Sequence, residues 1–223
     1  MRKIFSTKEE IVKFWNHMAN RDNERRKIQK YYTTKKTYLE ILKSSNLFKT
    51  SLILDAGCGW GRITRQFLEE GYSNIIGIDL TFNLLQSFKK DGYCVKLINA
   101  DTSKLPFASN TFDLVYAVRV LQYIDNIYEL LYEFKRIIKP GGNLTIIQPN
   151  SKNPYRKIFY HTKLIPAIHL IKIYKSIKLE NISIHYFGFN FPNYPIPWLE
   201  YLEKVPLFKK IGAFYLIRGT IPL

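Results

Sequence analysis

The stretch LILDAGCGWGR, Leu52 to Arg62, places three glycines in five residues directly behind a run of aliphatic residues. Glycines between a buried strand and a helix let the backbone turn tightly and let a ligand approach where a Cβ would collide. The pattern around the turn repeats. LIL, NIIGI, CVKLI, DLVYAV (113–118) and NLTIIQ (143–148) are short apolar runs, separated by the amphipathic segments ITRQFLEE, FNLLQSFKK and IYELLYEFKRII (127–138). Strand alternating with helix implies a parallel sheet with helices on its faces. Lys139-Pro140-Gly141-Gly142 is expected to end the last of these helices and turn the chain into the fifth strand.

On either side the pattern differs. Residues 8–43 mix apolar and aromatic positions with charges at helical spacing and contain no Gly or Pro, which predicts two helices with a break near Ala19–Asn23. After Asn150 come a basic apolar stretch (155–180), an aromatic and proline-rich stretch (182–198) and a closing strand, IGAFYLIRG (211–219). A chain of 223 residues, 46% hydrophobic and 23% charged, is sized and composed for one globular domain with additions. The expected division is a helical cap at 1–50 within that domain, a ligand-binding core at 51–150, and an acceptor-side lid with closing strands at 151–223.

The net charge of +16 is unevenly spread. Residues 1–50 carry 13 Lys/Arg against 5 Asp/Glu, residues 51–150 carry 10 against 10, and residues 151–223 carry 11 against 3. A neutral middle with basic flanks points to an anionic partner met by the flanks. No run reaches the ~20 apolar residues of a membrane span, and the first residues turn charged before a signal-like core develops, so a cytoplasmic protein is expected. Cys58 and Cys94 have no zinc-ligand spacing, and no metal site is expected.

Acids mark the strand ends. Asp79 closes IIGID about 20 residues past the glycines, where a carboxylate accepts hydrogen bonds from ribose hydroxyls, and Asp101 follows the third run. A nucleoside ligand follows. Asp55, just ahead of Gly57, would repel a pyrophosphate and attract an ammonium, so the ligand should join a nucleoside to an amino acid, as S-adenosylmethionine does.

At LILDAGCGWGRITRQFLEEGY, NIIGIDLTFNLL, INADTSKLPFASNTFDLVYAVRVLQYI and LYEFKRIIKPGGNLTIIQPN the chain resembles the class I S-adenosylmethionine-dependent methyltransferases of the small-molecule type, over residues 50–150. The resemblance implies a Rossmann-like, seven-stranded, mostly parallel α/β sheet with helices on both faces and the last strand antiparallel. It implies S-adenosyl-L-methionine as cofactor, with Gly57 and Gly59 beneath the methionine part and Asp55 helping to hold its ammonium, directly or through water. Asp79 would bind the ribose hydroxyls and Leu80 pack on the adenine. Asp101 would accept from the adenine amino group beside Thr102, and Ala117 would supply a backbone contact.

The acceptor should approach around Arg119, Gln122 and Tyr123. Gln122 stands where relatives often carry histidine, and it is no base at neutral pH. A small-molecule or lipid-linked acceptor, methylated at O or C and including glycan-type compounds, is the expectation, with peripheral contact to an anionic membrane through the basic amphipathic stretch at 155–180. The alternatives are an RNA methyltransferase and a non-catalytic module of this fold that binds RNA or anionic membrane.

Overall fold

A computed structural model of the chain describes residues 7–19, 24–153, 163–188, 205 and 209–223. Two helices lead, α1 (Lys8–Ala19) and α2 (Glu24–Lys43). The sheet region then runs β1 (Ile53–Ala56), α3 (Thr64–Glu69), β2 (Ile75–Asp79), α4 (Phe82–Lys89), β3 (Lys96–Asn99), β4 (Phe112–Val118), α5 (Ile127–Ile137) and β5 (Ile138–Pro149). It closes with α6 (Ala167–Ser176), β6 (Glu180–Phe187) and β7 (Phe214–Thr220).

The seven strands form one sheet in the order β3-β2-β1-β4-β5-β7-β6. Neighbours from β3 to β5 are parallel, and β7 is antiparallel to both β5 and β6. The expected seven-stranded, mostly parallel sheet with an opposed last strand is therefore present. All four residues of β1 are buried, as a strand covered on both faces requires. Successive β1 side chains feed two cores. Ile53 joins Tyr38 and Ile41 of α2 and Phe67 of α3 on one face. Leu54 joins Leu130 and Phe134 of α5 and Leu170 and Ile173 of α6 on the other. The strand order reverses between β1 and β4, and the crevice beyond their carboxyl ends is where open α/β sheets place ligands.

Two details differ from expectation. Lys139-Pro140-Gly141-Gly142 does not form a separate turn: α5 ends at Ile137 and β5 begins at Ile138. Ile138 pairs with Phe112, and the ladder resumes at Leu114 with Asn143. The intervening residues are bulged out, where a proline without an N–H is tolerated. Gly141, with φ +76, donates its N–H to Ile221 O at 2.9 Å. The second difference is β6, which lies across the boundary between the basic and aromatic stretches. Ile182, Ile184 and Tyr186 pack on the core while Ser183 and His185 are exposed, the two-residue period of a strand with one covered face.

Of the basic stretch at 155–180, residues 163–180 are described and residues 167–176 form α6. Its Leu170, Ile173 and Tyr174 are buried in the sheet core, while Lys172 and Lys175 face solvent. The aromatic, proline-rich stretch lies beyond residue 188 largely outside the described residues. Among the described residues no helix is long and apolar enough to cross a membrane.

A buried carboxyl ties three elements together. Asp55 Oδ2 on β1 accepts from Thr64 Oγ1 at the start of α3 (2.5 Å) and from the Tyr116 hydroxyl on β4 (2.8 Å). Burial lifts the Asp55 carboxyl to about 6, against the opposing effect of these two hydroxyls. A group that holds its proton more tightly when folded favours the fold at low pH, and that contribution is lost as pH rises from about 4 to about 6, by on the order of 2–3 kcal/mol. Denaturant unfolding at pH 4.5 and pH 7 should show a smaller fall in stability for Asp55→Asn than for wild type; equal falls would contradict this. The glycine turn is tested separately. Gly61 has φ +76, and a Cβ there would lie 2.2 Å from the Phe88 ring on α4. Gly61→Ala should cost about 2–4 kcal/mol or prevent folding, and a loss below about 0.5 kcal/mol would show that the turn relaxes freely.

Candidate active site at the carboxyl edge of the sheet

The turn after β1 is held by the end of β2. Gly57 and Cys58 donate their N–H groups to Ile78 O at 2.8 and 3.0 Å, and Gly59 donates its N–H to Asp79 Oδ2 at 2.8 Å. The other Asp79 oxygen accepts from Thr81 N–H at 2.8 Å, at the entrance to α4. Gly57 needs its missing side chain on two counts. Its φ is +82, and a Cβ would stand 2.3 Å from Val120 Cγ2. Two strand ends and a helix start thus meet with bare backbone between them.

Above this junction is a cavity of about 180 Å³. Gly57, Gly59, Asp79, Leu80, Asp101, Thr102, Arg119 and Tyr123 all line it, so eight of the eleven residues singled out from sequence converge. The other three stay off its wall. Asp55 lies beneath the turn, 3% exposed and bonded to Thr64 and Tyr116. Ala117 is fully buried inside β4, and Gln122 is buried in the 3-10 turn Leu121–Tyr123.

Other lining residues had not been singled out: Cys58, Trp60 and Arg62 in the glycine loop, Thr81 and Leu84 by α4, Val118, Val120 and Ile124 around the end of β4, and Lys8, Ile11 and Trp15 on α1. The helical period of residues 8–19 was visible, but nothing local to that segment shows that it roofs a cavity formed some 50 residues later. Trp15 meets Trp60 edge-on at 6.4 Å between centroids and Tyr123 at 6.1 Å. These three rings close the end of the cavity next to β4.

Charge is arranged unevenly along it. Burial raises the Asp79 carboxyl, and the Thr81 and Gly59 amides restrain that rise. Burial also acts upward on Asp101, but the Lys8 ammonium, ion-paired with it, and the Ser103 N–H at 2.9 Å outweigh burial and hold the group below its ordinary value. Removal from water, followed by the charge of Arg119, lowers the Arg62 guanidinium to about 10. Acids therefore gather at the β2–β3 end of the cavity and guanidinium groups at the β1–β4 end.

These groups suit S-adenosylmethionine. Asp79 has acceptor capacity left over for a ribose diol, and Gly57 and Gly59, both at positive φ in the cavity wall, present bare backbone to an amino-acid chain. Lys8 stands on Asp101 at the expected adenine position.

Comparison with known proteins agrees with this geometry. Residues 54–146 match the model of a methyltransferase domain, Methyltransf_11. An uncharacterized protein of Methanocaldococcus jannaschii, MJ0638, is 33% identical over 150 residues, which is 66% of this chain and 61% of that one. A malonyl-[acyl-carrier protein] O-methyltransferase of Buchnera aphidicola is 28% identical over 187 residues, 79% of this chain and 71% of that one. The chain thus spans about three fifths of the first relative's length. A crystal structure of an S-adenosylmethionine-dependent methyltransferase from Archaeoglobus fulgidus superposes with a TM-score of 0.67 at 18% identity, covering 86% of this chain and 94% of that one. With the domain match lying on the strands that frame the cavity, the chain carries a methyltransferase domain and has the fold of the class I S-adenosylmethionine-dependent methyltransferases.

Proposed function

We propose that the chain transfers the methyl group of S-adenosylmethionine to an oxygen or carbon of a small, lipid-linked or glycan-type acceptor. The observation that carries this proposal is the single cavity that joins Asp79 and Asp101 at one end to an aromatic, guanidinium-bearing end at the other. Bound there, the cofactor supplies a methyl group already activated on a sulfonium.

The chain's own residues then bind, place and dry. Asp79 holds the ribose hydroxyls with the lone pairs its two backbone bonds leave free, and Leu80 and Leu84 pack beside the adenine. Asp101 accepts from the adenine amino group, sharing its carboxylate with Lys8 or releasing it. The bare backbone at Gly57 and Gly59 carries the amino-acid arm towards β4. In-line displacement then depends chiefly on bringing a nucleophile to about 3 Å in the right direction. Trp15, Trp60 and Tyr123 exclude water and flank the acceptor, and Arg119 orients a charged group on it.

Among the described residues the cavity wall contains no histidine. That favours an acceptor whose reacting atom is nucleophilic without a histidine base, such as a carboxylate or an activated carbon. The Buchnera relative, an O-methyltransferase by name, supports an oxygen acceptor. The net charge of +16 supports an anionic partner surface, while Leu170, Ile173 and Tyr174 of α6 are used in the core. We propose a cytoplasmic or peripherally membrane-bound location, and the basic charge supports the membrane contact and the lesser RNA reading.

Calorimetry of the whole chain with S-adenosylhomocysteine should show one site, and Asp79→Ala should weaken it roughly 100-fold, the cost of about 2–3 kcal/mol for charge-assisted hydrogen bonds. Absence of binding by the folded wild type would overturn the enzyme proposal, and unchanged binding by Asp79→Ala would overturn the role given to Asp79.

A further inference from the structure

We propose that the outer face of α5 and α6 docks the chain on an anionic lipid surface. Residues 163–179 contain four lysines and neither an arginine nor an acid. Within them α6 turns Lys172 and Lys175 to solvent beside Ile168, which is 59% exposed. Tyr128 and Tyr132 on α5 are 47% and 57% exposed, and their rings stack with centroids 6.5 Å apart. Residues 128, 132 and 135 share one stripe of that helix. Lys135 Nζ donates to Ile177 O at 2.7 Å, just past the end of α6, so the tyrosines lie on the side of α5 that meets α6. The acids of α5 are on a different stripe. Glu129 and Glu133 share it with Arg136, which is ion-paired with Glu133 and donates to Phe107 O at 2.8 Å, between β3 and β4.

This face begins at the end of the sheet that holds the cavity. Tyr128 follows Ile124, a residue of the cavity wall, by about one helical turn. Ile165 O, just ahead of α6, accepts from the Tyr215 hydroxyl at 2.8 Å, and Tyr215 pairs with Gln148 near the carboxyl end of β5. Tyr128 and Ile168 therefore occupy the first turns of two helices that start at the carboxyl edge, from which a lipid-linked acceptor would reach the cavity. The chemistry favours a bilayer over other anions. Lysine is a compact, strongly hydrated charge that suits a diffuse field, whereas protein interfaces and phosphate recognition favour arginine. Among the described residues none of Lys163, Lys172, Lys175 and Lys178 stands in an ion pair. Tyrosine sets an apolar ring in the boundary layer and keeps its hydroxyl wet.

The inference rests on the peripheral location proposed above and is independent of the methyl donor. Flotation of the whole chain tests it, with vesicles of phosphatidylcholine alone and of equal parts phosphatidylcholine and phosphatidylglycerol, across a salt series. Wild type is compared with Lys172→Gln/Lys175→Gln, with Tyr132→Ser/Ile168→Ser, and with Lys89→Gln/Lys90→Gln, which removes two exposed lysines from the C-terminal end of α4 at the β2–β3 end of the sheet. Circular dichroism and thermal unfolding confirm the fold of each. Single-stranded RNA and poly-L-glutamate serve as competing anions.

Wild type should bind the anionic vesicles, more weakly as salt rises, and leave the neutral ones unbound. Lys172→Gln/Lys175→Gln should weaken binding by about tenfold or more, each lysine near the surface contributing roughly fivefold. Tyr132→Ser/Ile168→Ser should weaken it by about threefold or more, and Lys89→Gln/Lys90→Gln by about twofold or less. If wild type binds but the two variants of this face lose no more than the α4 variant, the face is wrong and the peripheral location stands. If wild type binds neither vesicle, the location falls and the face with it. Loss in the lysine variant with Tyr132→Ser/Ile168→Ser unchanged would also overturn docking through this face, since the rings and Ile168 would then stay in water. Tighter binding to the RNA or to poly-L-glutamate than to the vesicles, lost in the same lysine variant, would assign the face to another partner and overturn the proposal. Each of these outcomes leaves S-adenosylhomocysteine binding, the test of the methyl-donor reading, untouched.

Discussion

One carboxylate holds the site together. Each oxygen of Asp79 accepts a backbone N–H, one from Gly59 in the turn after β1 and one from Thr81 at the start of α4. These bonds join two strand ends and a helix start that meet nowhere else in the sequence. They require β1 and β2 to be in register, and the sheet provides it with Ala56 paired to Ile78. They also require close approach, which Gly77 permits: a Cβ there would sit 2.9 Å from Cys58 Sγ. The same bonds leave Asp79 with acceptor capacity directed at a cavity, so the group that organises the turn is also the one placed to hold a nucleoside.

The basic flanks contribute more than surface charge. Helix α1 lays Lys8, Ile11 and Trp15 over the cavity, with Lys8 on Asp101 and Trp15 between Trp60 and Tyr123. Helix α2 completes one face of the sheet and steadies Arg62 through Thr34. Helix α6 completes the other face with Leu170, Ile173 and Tyr174. The additions around the central strands are thus part of the core and of the site wall.

Residues 52–150 were readable from sequence because parallel strands buried on both faces leave continuous apolar runs, and because glycines and acids recur at fixed points relative to those runs. IIGID and DLVYAV each lie within a residue of their strands. Beyond that segment the signals weaken. β6 alternates Ile182, Ile184 and Tyr186 with exposed residues, but its neighbourhood was read through charge and aromatic content, which hid the two-residue period. Pro140 and the glycines after it signalled a break correctly and its form wrongly, since a bulge and a turn use the same residues. Arg62 sits inside the most informative motif of the chain, yet a single arginine has no periodicity, and the cavity wall it shares with Arg119 exists only once β4 lies beside β1. The roof formed by Trp15, Trp60 and Tyr123 is likewise a tertiary product.

The most direct measurement is amide chemical-shift mapping of the 15N-labelled chain titrated with S-adenosylhomocysteine. The largest shifts should fall on Gly57, Gly59, Leu80, Thr81 and Thr102, around the β1, β2 and β3 ends, with the indole signals of Trp15 and Trp60, which line the same cavity, moving as well. Saturating ligand that leaves those amides unmoved, or that perturbs instead the opposite sheet edge near Asp113 and Lys139, would contradict a methyl-donor site built on the Asp79 junction.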